Sequence, residues 1–401
     1  MKKLILSAAV LVAVPALAQD TRPQPVGATQ TPVLVPGVGA SPTHLTASDV
    51  VPSSTATEAF EWQPRPVTKF DVARRARVEK LTVRQALDGF YAQSKQVGLQ
   101  DKWPDLSAYF EVHPTAMKVA YDELHAGQME INAIVPFYIA LGKARVPEAR
   151  ELLLSIVRDV KDTPMDRTRA IFGLVDREDV GVELAQELAT MATVEASTHK
   201  AKFLKGEAML GLSMMAGIKR KQPDLHDVSA KTVRTLLSTG DVDDTRIAMK
   251  SIGNMADSML LPLAIPVTKN ADPFVRMEAA YAFRRLNPKH SEALVLGWLA
   301  TEKHPFVKAK IYQIAQLQHF DLHTGASEAL TRQAIKDLPT FSSGVDRRTV
   351  VRLLKQSSVK DQPWVREALV AQARVEHKKN TGYLDEFAEV LTPAEMWKVI
   401  R

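Results

Sequence analysis

The chain has 401 residues, with 52 Lys and Arg against 46 Asp and Glu, a formal net charge of +6, and no cysteine. The lack of cysteine excludes disulfides, thiolate catalysis and zinc–thiolate sites together, and a chain of this length buries enough core to fold without bridges. The mild basicity suits anionic lipid, a cell-wall polymer or an acidic protein equally well.

Met1-Lys2-Lys3 forms a basic leader, Leu4 to Leu17 an apolar run, and Ala16-Leu17-Ala18 a small-x-small cleavage pattern. This predicts a signal peptide over 1–18 with Gln19 as the first mature residue. The run is too short to span about 30 Å of hydrocarbon. From 19 to 69, Pro23, Pro25, Pro32, Pro36, Pro42, Pro52, Pro64 and Pro66 interrupt a Thr, Ser, Val and Ala background. Such a composition cannot bury enough apolar surface to offset its chain entropy, so a disordered tether is expected, with Phe60 and Trp62 placed to clip it to the folded body.

From 70 to 401 apolar residues recur three and four apart, as in Ile131-Ile134-Val135, Leu152-Leu153-Ile156-Val157 and Leu184-Leu188-Met191. No convincing alternating strand interrupts them, and Gly127, Gly142, Pro147, Pro164, Gly240, Pro288, Pro339, Pro363 and Pro393 supply the stops. The expectation is an all-α chain.

One phrase returns along this region. It reads Asp272-Pro273-Phe274-Val275-Arg276, then His304-Pro305-Phe306-Val307-Lys308, then Gln362-Pro363-Trp364-Val365-Arg366. Asp272 suits an N-cap, since its carboxylate can accept from free first-turn N–H groups. Pro273 loses no hydrogen bond at the first helical position. Phe274 and Val275 are expected to begin the buried stripe, with Ala279, Ala280 and Ala282 admitting close helix neighbours. Arg276 is placed about one turn in, where it can bond acids or carbonyls of the adjacent repeat. Aligning Arg246, Arg276 and Lys308 gives a period of about 30 residues, within the range of paired-helix repeats. The step to Arg366 is nearly double, which predicts one divergent repeat between. Asp272, Arg276, Arg246, Lys308 and Arg366 are therefore the expected repeat-stacking residues, structural rather than catalytic.

Asp-Pro-x-Val-Arg followed by this alanine spacing resembles HEAT repeats over about residues 240–320. The segments Ile139-Ala140-Leu141-Gly142, Lys205-Gly206-Glu207-Ala208-Met209-Leu210-Gly211-Leu212, Met249-Lys250-Ser251-Ile252-Gly253-Asn254-Met255-Ala256, and Val275-Arg276 through Arg284-Arg285-Leu286 also resemble the helical domain of vitellogenin-type lipid transfer proteins. The first resemblance implies a right-handed α-α superhelix, a HEAT-like solenoid that stacks repeats into a binding surface. The second implies a helical shell around lipid, although a tether stands where that family has its N-terminal β-barrel.

His319 and His323 have the four-residue spacing of a metal pair, but no third ligand is identifiable and a loop or helix-end role is favoured. Gly211-Leu212-Ser213-Met214-Met215 half-matches a nucleophile elbow, lacking its last glycine and a preceding strand. Basic clusters stand at Arg74-Arg75-Arg77, Lys219-Arg220-Lys221, Arg284-Arg285 with Lys289, and His377-Lys378-Lys379. They read as solvated helix ends or a shared face for an anionic partner. Trp298 and Trp364 read as packing residues. The sequence thus points to an exported scaffold, periplasmic or otherwise in the envelope or medium, using no cofactor. It would hold a protein or peptide on a concave layer made by the second helix of each pair, with lipid as the rival ligand and nucleic acid disfavoured by export.

Overall fold

The computed structural model describes residues 69–94, 103–129, 131–286, 288–318, 327–341, 343–379 and 384–401. The expected signal peptide, the expected tether up to residue 68 with Phe60 and Trp62, and the His319 and His323 pair lie outside the described residues.

Twenty α-helices make up the described chain: α1 (Lys69–Val78), α2 (Val83–Ser94), α3 (Trp103–Val112), α4 (Ala116–His125), α5 (Ile131–Lys143), α6 (Pro147–Arg158), α7 (Pro164–Val175), α8 (Val182–Thr193), α9 (His199–Ile218), α10 (Pro223–Ser238), α11 (Val242–Met255), α12 (Leu261–Ala264), α13 (Pro273–Ala282), α14 (Pro288–Thr301), α15 (Pro305–Gln318), α16 (Ser327–Asp337), α17 (Gly344–Gln356), α18 (Pro363–Lys379), α19 (Leu384–Ala388) and α20 (Pro393–Ile400). Short 3₁₀ turns join several of them, and no strand occurs among the described residues.

Local chemistry explains the starts. Thr163, Thr198, Asp241, Asp272 and Thr392 accept side-chain bonds from first-turn N–H groups of α7, α9, α11, α13 and α20. At α20, Glu395 reaches back to the Thr392 N–H at 2.7 Å, completing a capping box. Pro occupies the first position of α6, α7, α10, α13, α15, α18 and α20, where no intrahelical bond is lost. Ala256 ends α11 in the left-handed region at φ 53°.

The helices sort into two layers. Odd-numbered helices pack each on the next odd one, from α1 on α3 through α15 on α17 and α17 on α19. Even-numbered helices lie behind them, with α2 on α4, α4 on α6, α8 on α10, α16 on α18 and α18 on α20. A continuous apolar core fills the space between, from Leu87 and Phe110 through Leu141, Leu212 and Ile252 to Tyr312, Leu354 and Leu369. Because each helix buries its apolar stripe only against near neighbours, the arrangement is quasi-one-dimensional.

The odd layer is the tighter one. A Cβ on Gly217 of α9 would lie 2.1 Å from the Asn254 carbonyl of α11, and a Cβ on Gly253 of α11 would lie 2.1 Å from the Tyr281 carbonyl of α13. Backbone meets backbone at both places, which only glycine allows.

Two expectations about the recurrent phrase need correction. Val275, Val307 and Val365 are fully buried, but Phe274 and Phe306 remain 55% and 43% exposed. With proline at the first helical position, the aromatic falls about 100° away from the inward valine and turns outward. The third copy also opens a helix of the other layer, since α18 packs on α16 and α20. The odd-layer successor of α15 is α17, which starts with Gly344 and carries Arg347 in place of the expected base.

Candidate binding face on the odd-numbered helices

Within the row, odd helices such as α9, α11 and α15 are covered by even helices on one side and by odd neighbours on two. The less buried residues then fall in one stripe at helical spacing: Glu207, Leu210 and Met214 on α9, Arg246 and Lys250 on α11, Met277 and Tyr281 on α13, and Lys310 and Gln313 on α15. Lys310 of α15 bonds Tyr281 of α13, and Arg246 and Lys250 of α11 reach Glu278 of α13, so these stripes adjoin.

Toward the helix starts, the face is bounded by paired charges. Arg276 donates from Nε and Nη2 to the two oxygens of Glu302, both at 2.9 Å, and from Nη1 to the Asn270 and Ala271 carbonyls at 2.8 and 3.0 Å. Glu302 also accepts from the His304 and Lys303 N–H groups at 2.9 and 3.0 Å and from Trp298 Nε1 at 3.1 Å. Burial works against its ionisation, but the bonds from Arg276 and the backbone outweigh burial and hold its carboxyl below the usual range. One carboxylate therefore fixes the start of α15 and the side chain of α13 together.

The same relation recurs with other residues. Lys205 Nζ lies 2.7 Å from Asp244, Arg246 Nη2 3.5 Å from Glu278, Lys308 Nζ 2.7 Å from Asp337, and Arg347 Nη1 3.4 Å from Glu376. Arg366 does so in the even layer, bonding Glu395 and the Val390 carbonyl. Asp272 caps its own helix, accepting from the Phe274 N–H at 2.8 Å. The five residues singled out by sequence thus lie at the helix starts, not in the centre of the face.

The centre is held by residues that no motif marked. Lys250 Nζ lies 3.2 Å from Glu278 Oε1, while the Glu278 Oε2 atom, on a side chain only 4% exposed, accepts no hydrogen bond. Glu207, one helix away, has its carboxyl pushed up to about 7 by burial, with the Lys250 charge opposing that rise. Tyr281 lies between two cations. The Lys310 ammonium is 4.3 Å from its ring centroid and donates to its hydroxyl at 2.9 Å, and the Arg284 guanidinium is 5.3 Å from the centroid. Arg284 also donates to Asn254 Oδ1, and Asn254 donates to Ser213 Oγ at 3.0 Å.

This arrangement offers alternating carboxylate, ammonium, phenol and guanidinium groups along a row of parallel helices, which is the chemistry of recognition. Ser213, in the segment that half-matches a nucleophile elbow, is fully buried in the middle of α9 and donates to the Leu210 carbonyl at 2.8 Å. Among the described residues no three His, Asp or Glu side chains gather to hold a metal ion, and no helix is long and apolar enough to cross a membrane. Trp298 and Trp364 pack partly buried against the core. A shallow apolar groove of ≈ 250 Å³ between α16 and α18, lined by Ile335, Leu338, Leu369 and Val375, lies in the even layer. It is smaller than the roughly 300–1,000 Å³ of ordinary small-molecule sites.

Neither a protein-family model nor a curated protein matches this chain.

Proposed function

We propose that the chain is an exported, non-catalytic scaffold that holds a protein or peptide partner along the uncovered face of its odd-numbered helices. In this reading the two layers wind as a HEAT-like, right-handed superhelix whose tighter, odd layer is the inner one. The cationic residues of the recurrent phrase would lock one repeat to the next. Packing favours this choice of inner layer: in a curved double layer the concave helices stand closer together, and Gly217 and Gly253 bring odd-helix backbones into contact. The sequence had placed the concave surface on the second helix of each pair; the close approaches fall on the first.

The observation that carries the reading is Tyr281 between Lys310 and Arg284, flanked by the incompletely bonded Glu278 and the half-buried Glu207. Buried polar atoms left short of partners are costly and are satisfied when a ligand supplies the missing group. A partner bearing basic side chains opposite Glu207 and Glu278, and carbonyl or acidic groups opposite Lys310 and Arg284, would meet each of them.

Photo-crosslinking tests this directly in the cell that makes the protein. A benzophenone amino acid at position 281 should give a discrete protein adduct in the envelope fraction. The same residue at exposed Lys231, on α10 of the even layer, should not. No adduct at 281, or the same adducts from both positions, overturns the proposal.

A further inference from the structure

The helix ends near Arg284 hold a second group of charges. Gly217 of α9 touches the Asn254 carbonyl of α11, so the last turns of these two helices meet. Arg220, three residues beyond Gly217, donates from Nε to the Gly217 carbonyl at 3.1 Å. Arg284, just past α13, donates to the side chain of the same Asn254. Arg285 follows it directly. Three guanidiniums are thereby gathered at the joined ends of α9, α11 and α13.

None of the three has a carboxylate in bonding distance among the described residues, and Arg285 makes no hydrogen bond there. The charges work against one another. Arg284 is pushed down to about 10, first by burial and then by Arg285, and Arg285 is lowered first by burial and then by Arg220. Asp257 senses the Arg220 charge but is already bonded to His226 Nε2 at 2.9 Å and to the Met259 N–H at 2.9 Å. Lys219 turns away, its ammonium bonded to the Val180 carbonyl at 2.6 Å. Arg285 keeps solvent-exposed surface beside Arg220 and Arg284.

We infer that Arg220, Arg284 and Arg285 form a binding recess for a phosphate-class oxyanion, next to the partner contacts centred on Tyr281 and sharing Arg284 with them. Guanidinium groups are planar forks suited to the oxygens of phosphate, and a multiply charged anion would relieve their mutual repulsion. The fixed bonds to the Gly217 carbonyl and the Asn254 side chain keep two of the three in place before any anion arrives, reducing the ordering cost of binding. The recess accepts the same chemistry from free phosphate or from the headgroup of an anionic lipid.

The test uses the full mature chain in chloride buffer. Inorganic phosphate is titrated by calorimetry, and vesicles of phosphatidylglycerol in phosphatidylcholine are assayed by co-sedimentation. Wild type and Arg285→Ala are compared; Arg285 has no bond to lose, so the fold should survive. Arg332→Ala on α16, a cation paired with Glu328, serves as control. Saturable phosphate binding weakened at least fivefold by Arg285→Ala alone supports the recess with free phosphate as occupant. Vesicle binding alone, lost in Arg285→Ala and kept in Arg332→Ala, supports it with a lipid headgroup as the source. Failure of both probes to bind, or equal loss in the two variants, or none in either, overturns it.

Discussion

The two edges of the odd layer treat positive charge in opposite ways. At the helix starts, Arg276, Arg246 and Lys308 each reach an acid 26 to 32 residues further along the chain. At the helix ends, Arg220, Arg284 and Arg285 face carbonyls, an amide and one another. The macrodipole explains the difference. A cation beside a helix N-terminus sits in an unfavourable field and needs a carboxylate, and Glu302 supplies one that also accepts from the two N–H groups just ahead of α15. A cation beside a C-terminus is met by the partial negative charge of unpaired carbonyls and can remain without an acid. One edge ties each base to an acid of a later helix; the other leaves its cations without one.

The comparison can be broken in order of size. Arg276→Ala should lower stability by about 2–3 kcal/mol, because it strands Glu302, whose side chain is only 4% exposed. Urea unfolding measures this, and an unchanged midpoint would show that the paired edge does not hold the stack. Gly253→Ala should cost about 2 kcal/mol, since its new methyl would stand 2.1 Å from the Tyr281 carbonyl. Gly297→Ala on α14, with nothing within 4 Å, should instead stabilise by roughly 0.5–1 kcal/mol. Equal effects from the two would remove the argument for close odd-layer contact.

Glu207 sharpens the comparison through pH. Its folded carboxyl, at about 7, binds a proton more tightly than the unfolded one near 4.5. Its contribution is therefore favourable in acid and is lost as pH rises through that window. Glu207→Gln should be more stable than wild type by about 1–2 kcal/mol at pH 8 and indistinguishable below pH 4.5, as followed by thermal melting across pH. A constant difference would mean that Glu207 acts through packing and not through charge. Arg285→Ala should be the smallest, within about 0.5 kcal/mol of wild type, because the side chain makes no bond to lose. A loss above 2 kcal/mol would place Arg285 with the paired cations.

Much of the helix framework was legible in the sequence because its signals are local. Capping by Asp272, proline at the first helical position, and the valine and alanine pattern of α13 act within a turn or two of themselves. The outward turn of Phe274 and Phe306 was missed because an aromatic beside a valine looks like core unless its angular position is fixed by the preceding proline. The third phrase was misassigned for a related reason. A helix start has the same chemistry in either layer, so Pro363 could not announce that α18 belongs to the even one. The central face left no motif at all. Glu207, Lys250, Tyr281 and Lys310 come from four helices, and neither the pairings nor the shared orientation follows from spacing along the chain.

The sequence by itself thus determined that the chain is helical, where many helices begin, and which bases stand one turn inside them, since these depend on short-range hydrogen bonding and periodic burial. Only the tertiary structure decided which layer each helix joins, which acid meets each base, and which cations are left with none. Those outcomes depend on distances between residues some thirty positions apart, set by how closely glycine lets neighbouring backbones approach.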